Sequence, residues 1–469
     1  MLNYNSEETQ SSITKFEQML KTNHIYFFDA QEFEDIIVHY LGFGENQLAK
    51  KALKMGLEQH PSSHEILLLQ SEVFILDEKY DAALKLLDYV EKLNPLDEEI
   101  SLQKASIASK NGDHASSIKY LNKALELSED PLEIWNLLGM EHLLAEEFEE
   151  ASYFFKNCIT DNPQDYSALY NLLYCFDHLN KTEEAIQILN EVLEIDPYSE
   201  VAWHQLGLVL LKKKQHKEAL SAFDFAIISD DTFTGAYIEK GKLLEGLGRI
   251  NEAIENYEIA LNTNDPSAFV FQSIGRCHEA LGNHERAVKF YLKAIHLEPS
   301  NENSWISLID FFITQDQFKK AKGYFKRALE VNSESVELWK KGAQIYSALD
   351  QDTKALNAYQ KLSDLGFFEL PSLLHHIDLY LKSKQWEKAL DLTNEAFKSF
   401  PESQDLMFRL GGCNLELGKI SEARYFLNPD QISEKKRIEL MTLFPSLGQF
   451  SIEALFIPPR FLPLFLNPI

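Results

Sequence analysis

Apolar residues recur along this chain at helical spacing. In the stretch EVAWHQLGLVLL, residues 200–211, Trp203, Leu206, Leu210 and Leu211 stand at i, i+3, i+7 and i+8 and form one face of an amphipathic helix. Gly207 interrupts that helix, where glycine costs about 1 kcal/mol relative to alanine. The anomaly repeats. Steps of 34 residues from Trp203 reach Tyr237, Phe271, Trp305, Trp339, Leu373 and Met407 in one direction. In the other they reach Leu169, Trp135, Ser101, Leu67 and Phe33, so twelve copies follow without insertion or deletion.

Other positions keep the same period. Four residues after the marker a small residue is common: Ser71, Ala105, Gly139, Gly207, Gly241, Gly275, Ala343 and Gly411. Sixteen residues after it, alanine fills eleven of the twelve places and Ser117 the other. Four further on stands a large residue, such as Leu53, Leu87, Phe155, Phe223, Tyr257, Tyr291, Phe325 or Tyr359. Two antiparallel helices, A and B, are predicted per copy. Small residues on each let the backbones approach, and the Trp203 and Phe223 places fill the space beside them. Gly44, Gly112, Gly248, Gly282 and Gly418 fall between A and B. Pro61, Pro95, Pro163, Pro197, Pro299 and Pro401 follow B, where a helix cannot continue.

This pattern resembles the tetratricopeptide repeat (TPR) family, whose unit carries W-x2-L-G-x2-Y…A-x3-F…P. Trp203, Leu206, Gly207, Ala219, Phe223 and Pro299 show it within residues 202–299. The resemblance covers roughly residues 30–430. It implies an all-α fold, an α-solenoid wound as a right-handed superhelix of about twelve repeats, because one pair cannot bury its apolar face alone. Residues 1–29, with the amphipathic ITKFEQMLKTN, are expected to cap the array at one end. Residues 431–469 follow it as a helix from about Gln431 to Leu443 and an apolar, Pro-rich tail. Pro429 is expected to interrupt the last helix B, and Asp430 lies where a small apolar residue belongs. The tail either covers the last apolar face, lies in the groove as a self-ligand, or docks a partner. Four prolines after Ile457 forbid a membrane helix there.

Charge narrows the partners. The 73 acidic and 45 basic residues give a formal charge of −28 over 469 residues, which argues against nucleic acid and anionic lipid as the main ligand. The N-terminus lacks the basic and apolar regions of a signal peptide, and no apolar run is long enough to span a bilayer. Cys158, Cys175, Cys277 and Cys413 form no ligand spacing, and the last three of the four share one repeat register, which points to packing and a reducing cytoplasm. No catalytic motif, metal or cofactor site is expected. His375, His376 and Asp378 come nearest to one, but they spread around their helix.

The resemblance places function in the groove. Residues one, two, five and eight places after the marker on helix A are implied to face it. These are often acidic in the first three repeats: Glu34, Asp35, Glu72 and Gln103. In repeats 4 to 6 they become apolar or amide-bearing: Asn136, Leu137, Met140 and Leu143, then Tyr170, Asn171 and Tyr174, then His204, Gln205, Leu208 and Leu211. Charge returns with Glu239, Lys242, Arg276, Asp310, Lys340 and Lys341. Amides can bond a peptide backbone and tyrosine adds area with a polar handle. The candidate peptide-binding residues are therefore Asn136, Met140, Tyr170, Asn171, Tyr174, His204, Gln205, Leu208, Lys242 and Arg276. Neither the carboxylate clamp nor the asparagine ladder of known TPR subtypes is reproduced, although Asn171 fits one place of each. The expected role is a non-enzymatic scaffold for a protein or peptide partner in a bacterial cytoplasm. The alternative is a structural subunit of an oligomer, joined to copies of itself or to others through its ends or its apolar tail.

Overall fold

The structure, a computed structural model, describes residues 7–22, 26–262, 267–427 and 434–449. The described residues hold twenty-seven helices and no strand. Their register is that of the sequence. Helix A of the first repeat begins at Ala30, and its equivalents begin every 34 residues, at His64, Glu98 and so on to Gln404. Helix B begins at Asn46 and recurs with the same period to Ile420. Side-chain caps fix many of these starts. Ser63, Asp165, Ser199, Ser267, Ser335 and Ser403 each accept a backbone N–H in the first turn of a helix A, and Asp29 with Glu32 forms a full capping box.

The chain forms two compact α-solenoid units, residues 1–233 and 234–469. In the first, six helix pairs stack behind an N-terminal helix, Glu7–Thr22, whose Ile13, Phe16 and Met19 are buried. Phe16 packs on Phe28 and Tyr40 of the first repeat, with ring centroids 6.3 and 6.0 Å away. In the second, six pairs stack, and helix B of the last is only seven residues long, Ile420–Phe426. Pro429 and Asp430 lie outside the described residues. Glu434–Leu443 and Pro445–Gln449 follow as helices, and Phe444 and Leu447 are buried. Phe444 lies where Gly412 has no side chain, since a Cβ there would come within 2.4 Å of its ring. The tail beyond Gln449 lies outside the described residues.

One contact sets the pair geometry. A Cβ at residue 207 would lie 2.4 Å from the ring of Phe223, one at 139 would lie 2.7 Å from Phe155, and ones at 241 and 275 would lie 2.6 and 2.7 Å from Tyr257 and Tyr291. Helix A therefore has glycine because the helix B ring occupies the volume of its side chain. The alanine sixteen places after the marker is buried in every repeat that has it. The marker is buried in most repeats, and its tryptophans take a second role. Trp203 is only half-buried, stacks on Phe225 at 4.6 Å, and donates its indole N–H to the Pro197 carbonyl at 2.9 Å. Trp305 and Trp339 bond likewise to Pro299 and Ser333. The tryptophan thus clamps the turn entering its own helix, while Phe223 fills the gap.

The A-to-B turn is stricter than its glycines suggest. Two residues past each helix A the backbone is left-handed in all twelve repeats, with φ from 51° to 75°. Glycine takes that place five times, whereas Glu78, Glu146, Asn180, Lys214, Asp316, Asp350 and Lys384 adopt it too. The docking of the helices imposes it against a cost of about 1 kcal/mol per residue. Lys214→Gly is accordingly expected to raise the unfolding free energy by about 1 kcal/mol in urea titration. Gly207→Ala is expected to do the reverse. Propensity favours alanine by about 1 kcal/mol, but displacing the buried Phe223 ring costs about 1–3 kcal/mol. Adding Phe223→Leu restores the loss. A Gly207→Ala protein more stable than its parent contradicts this packing.

Candidate functional site

Helix A carries the candidate residues on its fifth, sixth, ninth and twelfth positions. The ninth position of one helix A meets the sixth of the next, 31 residues on. Asn171 donates to the Met140 sulfur at 3.4 Å, Lys341 pairs with Asp310 at 2.7 Å, and Arg409 grips Asp378 through two bonds of 2.7 Å. These contacts make the positions one continuous strip within each unit, which a reading at the 34-residue period does not reveal.

In the first unit the strip is apolar and amide-bearing over repeats 4 to 6. Leu137 and Met140 are 40% and 37% exposed, and Tyr170 and Tyr174 are 45% and 51% exposed. Asn171 joins Met140 to this patch, and Tyr170 hydrogen-bonds with Gln205. Desolvation raises the Tyr170 phenol above its ordinary pKa although nearly half its surface is open. Tyr174 lies against Phe148 and His178, at 6.3 and 4.5 Å. Asn136 and Leu208 are half-buried. His204 is turned to the rings of Phe223 and Phe233, at 5.9 and 5.3 Å, which makes it more a packing residue than its neighbours.

Repeats 1 to 3 carry the acidic end of the same strip. Burial, then the charges of Glu65 and Asp35, raises the Glu34 carboxyl; burial raises Glu72. Glu99 is exposed, yet desolvation raises it first, with the charges of Glu72, Asp97 and Glu133 adding to the shift and the Gln103 amide opposing it. Glu99 and Glu133, second on their helices, were not among the sequence candidates, because the groove positions implied by the resemblance leave that place out. In the second unit Lys242 and Arg276 both flank the Phe269 ring, at 4.8 and 5.9 Å. Each is answered by a carboxylate: Lys242 by Glu239 at 2.6 Å, Arg276 by Glu245 at 3.1 Å.

The remaining candidates for chemistry are held in packing. Burial pushes the thiols of Cys158 and Cys175 up to about 11 and those of Cys277 and Cys413 to about 12, so none is a thiolate near neutrality. Among the described residues no three His, Cys, Asp or Glu side chains gather to hold a metal ion. No helix among them is long and apolar enough to cross a membrane. His375 bonds to the Pro371 carbonyl and Asp378 to Arg409. His376 is buried between Tyr359 and Tyr380, its Nε2 without a partner.

Such stacked 34-residue helix pairs define a helical-repeat protein. Three family models match in succession, all described as tetratricopeptide repeat, over residues 99–131, 142–206 and 219–401. The chain belongs to the tetratricopeptide repeat family, whose members mediate protein–protein interactions. It is 23% identical over 322 residues to a TPR repeat-containing protein of Methanocaldococcus jannaschii, covering 65% of this chain and 54% of that protein. It is 27% identical over 151 residues to anaphase-promoting complex subunit 3 of Schizosaccharomyces pombe, covering 32% and 23%. The chain thus spans about half or less of these relatives, and they do not bear out the bacterial origin expected from the sequence. Among solved structures, the MamA protein is similar at 24% identity and a TM-score of 0.32, covering 37% of this chain and 94% of that one.

Burial lowers the His376 pKa to about 4. Protonation is therefore easier in the unfolded chain, near pH 6.5. The stability that this neutral imidazole contributes is complete above pH 6.5 and is lost as pH falls toward 4, at a cost of about 3 kcal/mol. Urea midpoints of the wild type are expected to fall across that window faster than those of His376→Phe. Parallel pH profiles contradict the assignment.

Proposed function

We propose that residues 30–430 act as a non-enzymatic cytoplasmic scaffold and that the helix A strip of repeats 4 to 6 holds a peptide or helix of a partner protein. The observation that supports this reading is the open apolar row of Leu137, Met140, Tyr170 and Tyr174, flanked by the amides Asn136, Asn171 and Gln205. An interior packing surface would close these side chains off. Amides beside aromatic rings suit an extended backbone, which offers donors and acceptors in alternation. Affinity for one segment is expected in the micromolar range, on the order of −8 kcal/mol.

A second reading, a subunit of a larger assembly joined through its ends, its tail or copies of itself, draws on the name of one relative, anaphase-promoting complex subunit 3. Light scattering on the pure protein and cross-linking in the native cell separate the two.

For the strip itself, Tyr170→Ala combined with Tyr174→Ala is expected to cut partner capture about tenfold or more, as loss of aromatic anchors does, with the thermal midpoint unchanged. Recovery of the same partners at the same yield contradicts the proposal.

A further inference from the structure

Acidic side chains of the A helices differ in whether a cation of the chain meets them. In repeats 7 to 12 several are answered from within the chain: Glu245 by Arg276, Asp310 by Lys341 and Asp378 by Arg409. In repeats 1 to 4 Glu32 meets Lys15 and Glu141 meets His114, but others are not answered. Among the described residues Glu34, Glu72, Glu99 and Glu133 have no ion pair. Of the two lysines in helix A of the third repeat, Lys104 is turned away to Asp88 and Glu91 on helix B of the second. Gln103 bonds both Glu99 on its own helix and Ser71, the neighbour of Glu72, on the preceding helix A, and Glu99 and Glu133 hold the same place on successive helices A, so the three carboxylates run as one row. Glu133 stands one turn before Leu137 on the same helix, which joins the row to the apolar patch. Unanswered carboxylates crowded together repel one another, and a cation arriving from outside relieves that repulsion.

We infer that the occupant of this face is an extended segment of a partner protein with Lys or Arg side chains over Glu72, Glu99 and Glu133 and with Leu, Met or aromatic side chains over Leu137, Met140 and Tyr170. The inference rests on the groove reading above and adds its chemistry. A polyanion or an acidic peptide does not fit, because it would meet the carboxylate row. A uniformly basic chain does not use the apolar half.

The test is fluorescence anisotropy on the full chain with synthetic peptides, each with a Lys/Arg half and a Leu/Phe half, made in both orders. One order is expected to bind tighter than about 100 µM, weakening with salt. Replacing its basic half by a Glu-rich or a Gln/Ser half is expected to weaken binding at least tenfold. Glu72→Gln, Glu99→Gln and Glu133→Gln together are expected to cost about tenfold and to flatten the salt dependence. Glu126→Gln, Glu150→Gln and Glu184→Gln remove the same charge from exposed places on the B helices and are expected to change affinity less than twofold. The inference is overturned if neither order binds, if the neutral half binds as well as the basic one, or if the B-helix triple costs as much as the A-helix triple. In the neutral-half case the groove reading survives, provided that Tyr170→Ala with Tyr174→Ala abolishes binding. If instead the basic half matters and the tyrosine pair does not, the groove reading fails and the inference falls with it.

Discussion

The structure depends on a ring lying where a side chain is missing. Phe223 occupies the volume that a Cβ at residue 207 would need, and Phe155, Tyr257 and Tyr291 do the same over Gly139, Gly241 and Gly275. That contact sets how close helices A and B come, so it tolerates no change in the residues between them. An inserted residue would rotate the ring away from the gap by about 100°. A period held at 34 over twelve copies follows, as does the alanine that faces the opposite helix. Close approach leaves each pair with an uncovered apolar side, which the next pair buries, so the stack is also the source of stability. The same device works between repeats, where Gly342 admits the ring of Phe325 from the repeat before.

Most of the architecture was legible because periodicity is a property of the sequence. Helices A and B begin at the residues that the marker and the alanine imply. What escaped was whatever the period does not encode. Lys214 and Asp350 hold a left-handed backbone that their side chains disfavour, because the turn is dictated by the helices it joins. Trp203, expected to fill space, packs against the core and also clamps the Pro197 turn, a role that depends on where its indole N–H points. The strip was legible only as a set of positions. Its pairs stand 31 residues apart, as in Asp378 with Arg409, since successive helices A are offset by about one turn where they meet. A register of 34 passes over that pairing.

The same offset arranges the side chains of the strip. It brings Met140 to Asn171 and leaves Tyr170 and Tyr174 open beside them, while Glu72, Glu99 and Glu133 line the repeats before. A chain with a formal charge of −28 has ample acid to spend on its surface, and what matters is which acids are answered. Several of the later repeats are, by Arg276, Lys341 and Arg409. In the early repeats Glu32 meets Lys15 and Glu141 meets His114, whereas Glu72, Glu99 and Glu133 have no ion pair among the described residues. Packing thus explains why the fold persists, and the unanswered row beside the apolar patch gives its chemistry a direction.

Hydrogen exchange, followed peptide by peptide with and without the apolar–basic ligand, tests this account most directly. The account predicts slowed exchange in the helices Glu98–Lys110, Leu132–Leu144 and Tyr166–His178, with the B helices between them unchanged. Protection confined to B helices, or none in these three segments at saturating ligand, would contradict it.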